Sequence, residues 1–234
     1  MPLTRSLRHA LVAASALSAL TLMGCPNVAN LTTARVIDPG TFELTVAPAA
    51  TGMSLAIFDS EETGTLTAGT LDLGIRAGLA DTVDLGARIS NMGNMNLDVK
   101  VGLVDSESLR VALDPTIGAV FLGAGDVDAG YVQLDLPVLF DFAFNDSVTL
   151  CVAPRYTLLY FFAEDATTPA SHLLGGSIGV ELALGDSFAI QPNAGIAYWV
   201  NGPDEVATSF FSAGVAFKFL FGGKRGGDHV TASR

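Results

Sequence analysis

From about residue 41 onward, apolar and polar residues alternate along the chain in segments of about ten positions. In one of them, Met95, Leu97 and Val99 fall on one side, while Asn96 and Asp98 fall on the other. A period of two is typical of β-strands with two unlike faces. Clusters of Gly, Asp, Asn and Ser separate the segments and indicate turns or loops. The pattern therefore predicts an all-β protein.

The connections between segments fall into two alternating sets. Ten segments can be counted, at 41–57, 71–79, 82–90, 94–103, 108–122, 131–144, 147–162, 172–184, 187–200 and 211–221. Short turns are expected at 80–81, 105–107, 145–146 and 185–186, and mostly longer loops at 58–69, 91–93, 123–128, 163–171 and 201–208. An even number of strands with alternating short turns and long loops is typical of outer-membrane barrels, whose turns are periplasmic. We therefore predict an antiparallel up-and-down transmembrane β-barrel of about ten strands, with both chain ends on the periplasmic side. Because two segments are irregular, eight strands remain an alternative.

The charged residues within the segments all fall on the polar faces. This set comprises Glu43, Asp72, Arg76, Asp84, Arg88, Asp98, Lys100, Arg110, Asp114, Asp135, Asp141, Arg155, Glu181 and Lys218. In a narrow lumen such charges must pair, because an isolated buried ion costs several kcal/mol. A lumen filled by paired charges is the main expectation, and a narrow conduit that favours cations is the alternative.

The same alternation would fit a soluble, lipocalin-like barrel with its charges facing water. Two features favour the membrane reading. The polar faces are rich in glycine, as at Gly74, Gly86 and Gly102, which suits a crowded concave interior. The apolar faces end in aromatic residues, such as Phe42 and Tyr160, and aromatic girdles mark both interfaces of membrane barrels. A lipid-tethered soluble binding barrel remains a further alternative.

The first residues are typical of an export signal. Arg5 and Arg8 precede an apolar stretch at 11–23 that is too short and wrongly flanked for a spanning helix. The stretch ends in Leu22-Met23-Gly24-Cys25, which resembles the lipobox of bacterial lipoproteins. The resemblance implies cleavage before Cys25 and acylation of its thiol. The expected organisation is a signal peptide at 1–24, a lipidated linker at 25–40, the barrel at 41–221 and a flexible tail at 222–234.

Two further stretches resemble those of small outer-membrane barrels. Residues 34–44 look like the lead-in to the first strand of such proteins, and the final segment carries Ser212, Gly214, Phe217 and Phe219. The latter spacing resembles the signal recognised by the barrel-assembly machinery, although here residues 220–234 follow it. Over residues 34–221 the pattern resembles the OmpA/OmpW-like class of small barrels. The resemblance implies the assembly and lipoprotein-sorting machineries as partners during biogenesis, and lipid as the surrounding medium.

The expected long loops carry acids and no Lys or Arg. These acids are Asp59, Glu61, Glu62, Asp126, Asp128, Glu164, Asp165, Asp204 and Glu205. Solubility and charge repulsion at a cell surface explain these acids. The alternative is that they surround the mouth of the barrel and attract divalent cations. The sequence offers no spacing typical of a metal site.

Composition and single residues narrow the function further. A formal net charge of −12 makes nucleic acid an improbable partner. His172 is the only barrel histidine, and Ser171 beside it should point to the opposite face of its strand. With Cys25 acylated, Cys151 has no disulfide partner. We therefore expect a non-enzymatic outer-membrane barrel lipoprotein without cofactor, in a structural or surface-interaction role, with a narrow cation-favouring pore as the alternative.

Overall fold

The computed structural model describes residues 28, 31–57, 63–91, 93–124, 127–163, 166–167, 170–201 and 206–223. Cys25, the signal peptide, the C-terminal tail from 224 onward and all the acids of the expected loops except Asp128 lie outside these residues. No helix long and apolar enough to cross a membrane occurs in the described part of the chain.

The described residues form β-strands joined by turns. The strands are β1 Phe42–Ile57, β2 Thr63–Ala80, β3 Val83–Ser90, β4 Met95–Asp105, β5 Leu109–Leu113, β6 Thr116–Ala124, β7 Val127–Asn145, β8 Val148–Ala163, β9 Ala166–Thr167, β10 Ser171–Ala183, β11 Phe188–Trp199 and β12 Val206–Phe221. β5 and β6 are two halves of one barrel strand, since both pair with β4 and with β7. Pro115, which lacks an N–H, lies at the break between them. β9 has two residues and pairs with the tip of β8.

The sheet closes on itself. β1 pairs antiparallel with β2 on one side and with β12 on the other, so that Phe42 lies opposite both Ala77 and Phe221. The remaining strands pair with their neighbours in chain order. The predicted ten-stranded antiparallel up-and-down barrel is therefore confirmed, and the eight-stranded alternative is wrong.

The barrel has two distinct ends. The four short turns, at 81–82, 106–108, 146–147 and 184–187, lie at the end where β1 begins and β12 finishes, which we call the turn end. The opposite end is the loop end. There the strands continue further than the sequence pattern indicates, because the expected loop 58–69 is strand from Thr63 onward and β7 begins at Val127. A strand that projects beyond the lipid needs no apolar outer face, so alternation does not reveal it.

The polar faces turn inward and the apolar faces outward. On β4, Leu97 is 62% exposed, whereas Lys100 is 1% exposed. The same inversion holds around the barrel, where leucine, isoleucine and valine side chains cover the outside and eleven of the fourteen predicted luminal charges are buried. A soluble barrel would place its charges in water and its apolar side chains inside. The lipocalin-like alternative is therefore wrong.

Aromatic residues ring the outer face near both ends. Phe42, Phe144 and Phe221 are exposed at the turn end, and Tyr160 and Tyr198 are exposed toward the loop end. Phe42 and Tyr160 are residues that the sequence placed at the ends of apolar faces. Aromatic girdles at these two levels flank the lipid-facing band of membrane barrels.

The outer face yields a test of the lipid-facing band. Ile178, near the middle of β10, and Leu184, which directly follows β10 at the turn end, are 54% and 58% exposed. We expect Ile178→Arg to lower the free energy of folding into lipid vesicles by about 2–4 kcal/mol, and Leu184→Arg by about 0–1 kcal/mol, because the cost of a charge falls toward the interfaces. Urea titration of folding into vesicles measures both values. Equal costs at the two positions would contradict the assignment of a lipid-facing band.

Candidate functional site: the barrel lumen

The lumen contains part of the chain itself. Residues 31–41, which precede β1, form what we call the luminal segment. Leu31, Thr33, Ala34, Ile37 and Thr41 of this segment are buried. Leu31 packs with the wall residues Ala47 and Ala216, and Ala34 packs with Ala112, Leu139 and Ala153. The small alanines on the wall leave the space that the segment occupies.

Carboxylates on the barrel wall hold this segment by its backbone and hydroxyl groups. Asp141 Oδ2 accepts the N–H groups of Ala34 at 2.8 Å and of Arg35 at 3.3 Å. Asp84 Oδ2 accepts the N–H of Ile37 at 3.2 Å. Backbone N–H groups of the segment, which would lack acceptors inside the barrel, thus find them on the wall.

Two further contacts between wall side chains and the luminal segment lie nearer the loop end. Asp114 Oδ2 accepts the hydroxyl of Thr32 at 3.0 Å, and Lys100 Nζ donates to the carbonyl of Thr33 at 3.1 Å. Part of the luminal charge is thus devoted to binding the main chain rather than only to pairing with other charges.

The structure differs here from the expectation drawn from the sequence. Residues 25–40 were expected to form a lipidated linker, but over 31–37 the structure places them inside the barrel, and only 38–40 of the described part are exposed. The available signal was composition, since Leu31, Val36, Ile37 and neighbouring threonines are typical of a buried extended segment rather than a solvated linker. The wall side chains that the segment packs against come together only when the barrel closes. No local sequence pattern predicts that closure.

Arg76 is the centre of the largest ionic cluster. Its guanidinium forms hydrogen-bonded ion pairs with Asp84 and Asp98, and Nη2 lies 3.4 Å from Asp114 Oδ2. Lys100 Nζ lies 3.3 Å from Asp84 Oδ2. Four strand segments therefore contribute to one desolvated cluster, in which each charge depends on the others.

A second ionic group lies on the opposite wall. Lys218 Nζ lies 2.8 Å from Glu181 Oε2, and Arg35 of the luminal segment lies 3.5 Å from Glu181 Oε1. Asp135 accepts hydrogen bonds from Gln133 Nε2 and from the Thr157 hydroxyl, and it interacts electrostatically with the buried Arg155.

The structure thus separates the predicted luminal charges into three environments. Arg110 pairs with the exposed Asp105 at 3.1 Å, at the rim of the turn end. Arg88 and Asp98 are half-buried. The fully buried members are Glu43, Asp72, Arg76, Asp84, Lys100, Asp114, Asp135, Asp141, Arg155, Glu181 and Lys218.

Glycines on the inner face make room for these side chains. A Cβ at Gly86 would lie 2.4 Å from the carboxylate oxygens of Asp98, and one at Gly118 would lie 2.2 Å from Asn96 Oδ1. The carboxylate of Asp98 can therefore lie across the neighbouring strand and reach Arg76. This is the crowding that the glycine-rich polar faces indicate.

An apolar cluster occupies part of the loop-end half of the lumen, which the sequence pattern did not predict. Val28 belongs to a buried cluster with wall residues from most of the barrel: Met53, Val120, Tyr131, Leu159, Leu173, Ala197 and Phe210, with Phe161 and Trp199 packed against it. In a barrel this narrow, apolar side chains also fill the interior, so a luminal position need not be polar.

Two cavities adjoin the luminal segment in the described part of the barrel. One of about 40 Å³ lies beside Arg76, Asp114 and Arg155, and holds at most a few water molecules. The other, of about 920 Å³, is a vestibule that opens at the turn end, and residues 34–38 line its inner part. The luminal segment thus lies between the vestibule and the apolar cluster.

The luminal segment passes very close to β2 at Gly78. A Cβ at this position would lie 2.1 Å from the carbonyl oxygen of Asp38, whereas one at Gly74 on the same strand would meet nothing nearer than 3.6 Å. We expect Gly78→Ala to lower the free energy of unfolding by about 1–3 kcal/mol through overpacking. Gly74→Ala should be neutral or stabilise by less than about 1 kcal/mol. Urea unfolding in detergent micelles distinguishes them, and equal values would contradict the close passage of the segment.

His172 does not face the lumen. It lies on the outer side of β10, where Nδ1 hydrogen-bonds to the Tyr156 hydroxyl, while Ser171 beside it is buried inside the barrel. The expectation that these two side chains point to opposite faces is confirmed. The acids at 164–165 lie outside the described residues.

The other predicted positions have simpler roles. Cys151 is buried and free, and it lies opposite Asp141 in the sheet register. On β12, Phe217 and Phe219 alternate with the inward-facing Lys218, while Gly214 allows close approach of Ala49. Within the described ranges, no group of three or more His, Cys, Asp or Glu side chains could hold a metal ion.

Comparisons with known proteins support the fold. No family model matches the chain, and no curated protein does. Among solved structures, the outer membrane protease OmpT from Escherichia coli aligns with a TM-score of 0.51 at 9% identity, covering 81% of this chain and 100% of that chain. The translocator domain of autotransporter NalP from Neisseria meningitidis aligns with a TM-score of 0.44 at 13% identity, covering 92% and 96%. Neisserial surface protein A gives 0.37 at 18%, covering 75% and 97%. At these identities the likeness concerns the fold alone.

Proposed function

We propose that this protein is an outer-membrane β-barrel lipoprotein with a structural or surface-interaction role, whose lumen is closed by its own N-terminal segment. The observation that carries the proposal is the luminal segment, bound along its length by Asp84, Asp114 and Asp141. A barrel built for constitutive transport would leave that space to water and solute.

The proposed location rests on the outer surface and on two sequence signals. The apolar band between two aromatic rings has the character of a lipid-facing surface. The final strand carries the pattern with Gly214, Phe217 and Phe219 that resembles the barrel-assembly signal, and the lipobox resemblance at Cys25 supports acylation. The assembly and lipoprotein-sorting machineries are the partners that these signals imply.

The surface role rests on the acidic connections at the loop end. Asp59, Glu61 and Glu62 lie in one of them, and each of the other long connections except 91–93 also carries acids. The negative charge that the sequence gives these connections would attract divalent cations or a basic partner. We propose no catalysis, since His172 faces outward, away from the lumen and from Ser171.

Single-channel recording of the full-length mature protein in planar bilayers tests the closed lumen. We expect a silent bilayer under voltages at which an open barrel of this size conducts. Insertion must be shown independently, for example by the fluorescence of Trp199 and by recovery of folded protein from the bilayer lipid. Discrete current steps from the full-length protein would contradict the proposal that the lumen is closed.

A narrow cation-favouring pore is the second candidate, favoured by the charge of the vestibule. Its lining includes the acids Asp38, Asp81, Glu107 and Asp146, against the bases Arg35 and Arg110, each of which is paired with an acid. This candidate predicts current steps whose reversal potential favours cations. It also predicts that Asp98→Asn or Asp135→Asn changes the conductance.

A further inference from the structure

The direction in which the chain passes through the lumen bears on where its N-terminus lies. β1 begins at the turn end, and the residues before it run from Thr41 at that end toward the loop end. Along the luminal segment, from Ile37 back to Leu31, the contacts with the wall lie progressively nearer the loop end. Ile37 binds Asp84 next to a short turn, Ala34 packs at the level of Ala112, and Leu31 packs beside Ala47 in the middle of β1.

Val28 continues this course into the loop-end half of the barrel. It is 3% exposed and belongs to the apolar cluster that includes Met53, Tyr131 and Phe210. Met53 stands eleven residues beyond Phe42 on β1. For strands tilted by about 40° with about 3.3 Å per residue, this places the cluster roughly 28 Å above the turn end along the barrel axis.

The part of the mature chain that precedes Val28 is too short to reach back to the turn end. Three peptide units separate Cys25 from Val28. A fully extended chain of that length spans at most about 11 Å, well short of the roughly 28 Å back to the turn end. The apolar band of such barrels is about 25 Å tall, so residue 25 can reach the loop-end interface but not the opposite one.

From this geometry we infer that the mature N-terminus leaves the lumen at the loop end, so that the acyl group on Cys25 is held in the outer leaflet of the membrane. The inference rests on the proposed function for the acylation and for the orientation with loops outside. It reverses the sequence expectation that the lipid lies on the periplasmic side. The chain is then fixed at both ends of the lumen, by the lipid at the loop end and by β1 at the turn end.

Tagged full-length mature chains in a Gram-negative host provide the test. An ordinary signal peptide followed by a short epitope directly before residue 25, in the Cys25→Ser background, reports the side on which the N-terminus emerges without altering the luminal segment. Two reference chains carry the same epitope after Asp59 and after Glu107, at the loop end and the turn end. We expect antibody binding on intact cells to the N-terminal and Asp59 epitopes, at least about tenfold above binding to the Glu107 epitope, which should require permeabilised cells.

The outcomes separate the inference from the proposed function. If the two references behave as expected and the N-terminal epitope is detected only with the Glu107 epitope, the inference is overturned while the membrane barrel stands. If the references themselves do not separate, the proposed location or orientation fails. The intact mass of the N-terminal peptide of the wild-type protein tests acylation separately. An unacylated Cys25 with a surface-exposed epitope supports the threading and removes the lipid from the proposed function.

Discussion

A mature chain that begins at Asp38, without the residues that fill the lumen, will conduct ions across a planar bilayer in which the full-length chain is silent. The truncation removes the backbone groups that Asp84 and Asp141 bind and the apolar contacts of Leu31 and Ala34. Side chains just fill the interior of an eight-stranded barrel, and a ten-stranded barrel encloses more space. Water will therefore replace the lost segment.

The size and selectivity of the effect follow from the wall. We expect discrete current steps at least about tenfold more frequent than in the full-length chain, since the main obstruction is gone. The predicted wall charges comprise eight acids and six bases, so the reversal potential in a salt gradient should favour cations. Single-channel recording measures both quantities.

A matched truncation controls for the mere loss of the N-terminus. A chain that begins at Val28 loses residues 25–27 but keeps the luminal segment, and it should remain silent. Adding a synthetic peptide of residues 28–41 to the side of the loop end should reduce the current of the Asp38 chain. If both truncated chains are silent although inserted, the wall closes the lumen without the segment and the proposed role of the segment is wrong.

Replacement of Arg76 by alanine should destabilise the folded barrel by about 3–5 kcal/mol, because removing one partner of a buried ion pair leaves uncompensated charge. Arg76 is 5% exposed and contacts Asp84, Asp98 and Asp114. Lys100 forms its ion pair with Asp84, so Asp98 and Asp114 would lose the guanidinium that pairs with them. The change in the free energy of unfolding is measured by urea titration in micelles, with Trp199 as the fluorescent reporter.

Arg110→Ala is the control for this effect. Arg110 also pairs with a carboxylate, but its partner Asp105 is 58% exposed at the rim of the turn end. Exposed ion pairs contribute about 0–1 kcal/mol, so this variant should unfold nearly as the wild type does. Adding Asp98→Asn and Asp114→Asn to Arg76→Ala should restore part of the loss. Similar losses for Arg76→Ala and Arg110→Ala would show that the Arg76 cluster is not the buried network described above.

The two largest effects depend on features of different origin. The charges of the Arg76 cluster can be placed on inward faces from the sequence alone, since Arg76, Asp84 and Asp98 each fall on the polar side of an alternating segment. Their pairing could not be predicted, because Arg76 and Asp114 are 38 positions apart and meet only when β2 and the β5–β6 strand curve around one lumen. Strand tilt and register decide such pairs, and neither is a property of one segment.

The sequence by itself determined the strands and their orientation. The alternation at Met95, Leu97 and Val99 identifies a strand wherever it occurs, because side chains of consecutive residues point to opposite faces. The glycines on the polar faces and the aromatic residues at the ends of the apolar faces then favour the apolar side as the one toward lipid. These are local properties, so they can be read without knowing which strands are neighbours. The bounds of β2 and β7 beyond the lipid were missed because no apolar requirement acts there.

Only the tertiary structure decided what fills the barrel. The luminal segment 31–41 and the apolar cluster around Val28 pack against side chains from many strands at once, and those positions converge only after β1 pairs with β12. An extended segment of Thr, Val and Ile has the same local pattern as a linker or as an added strand. Closure of the sheet creates the enclosed space, and the packing of that space decides where the segment lies.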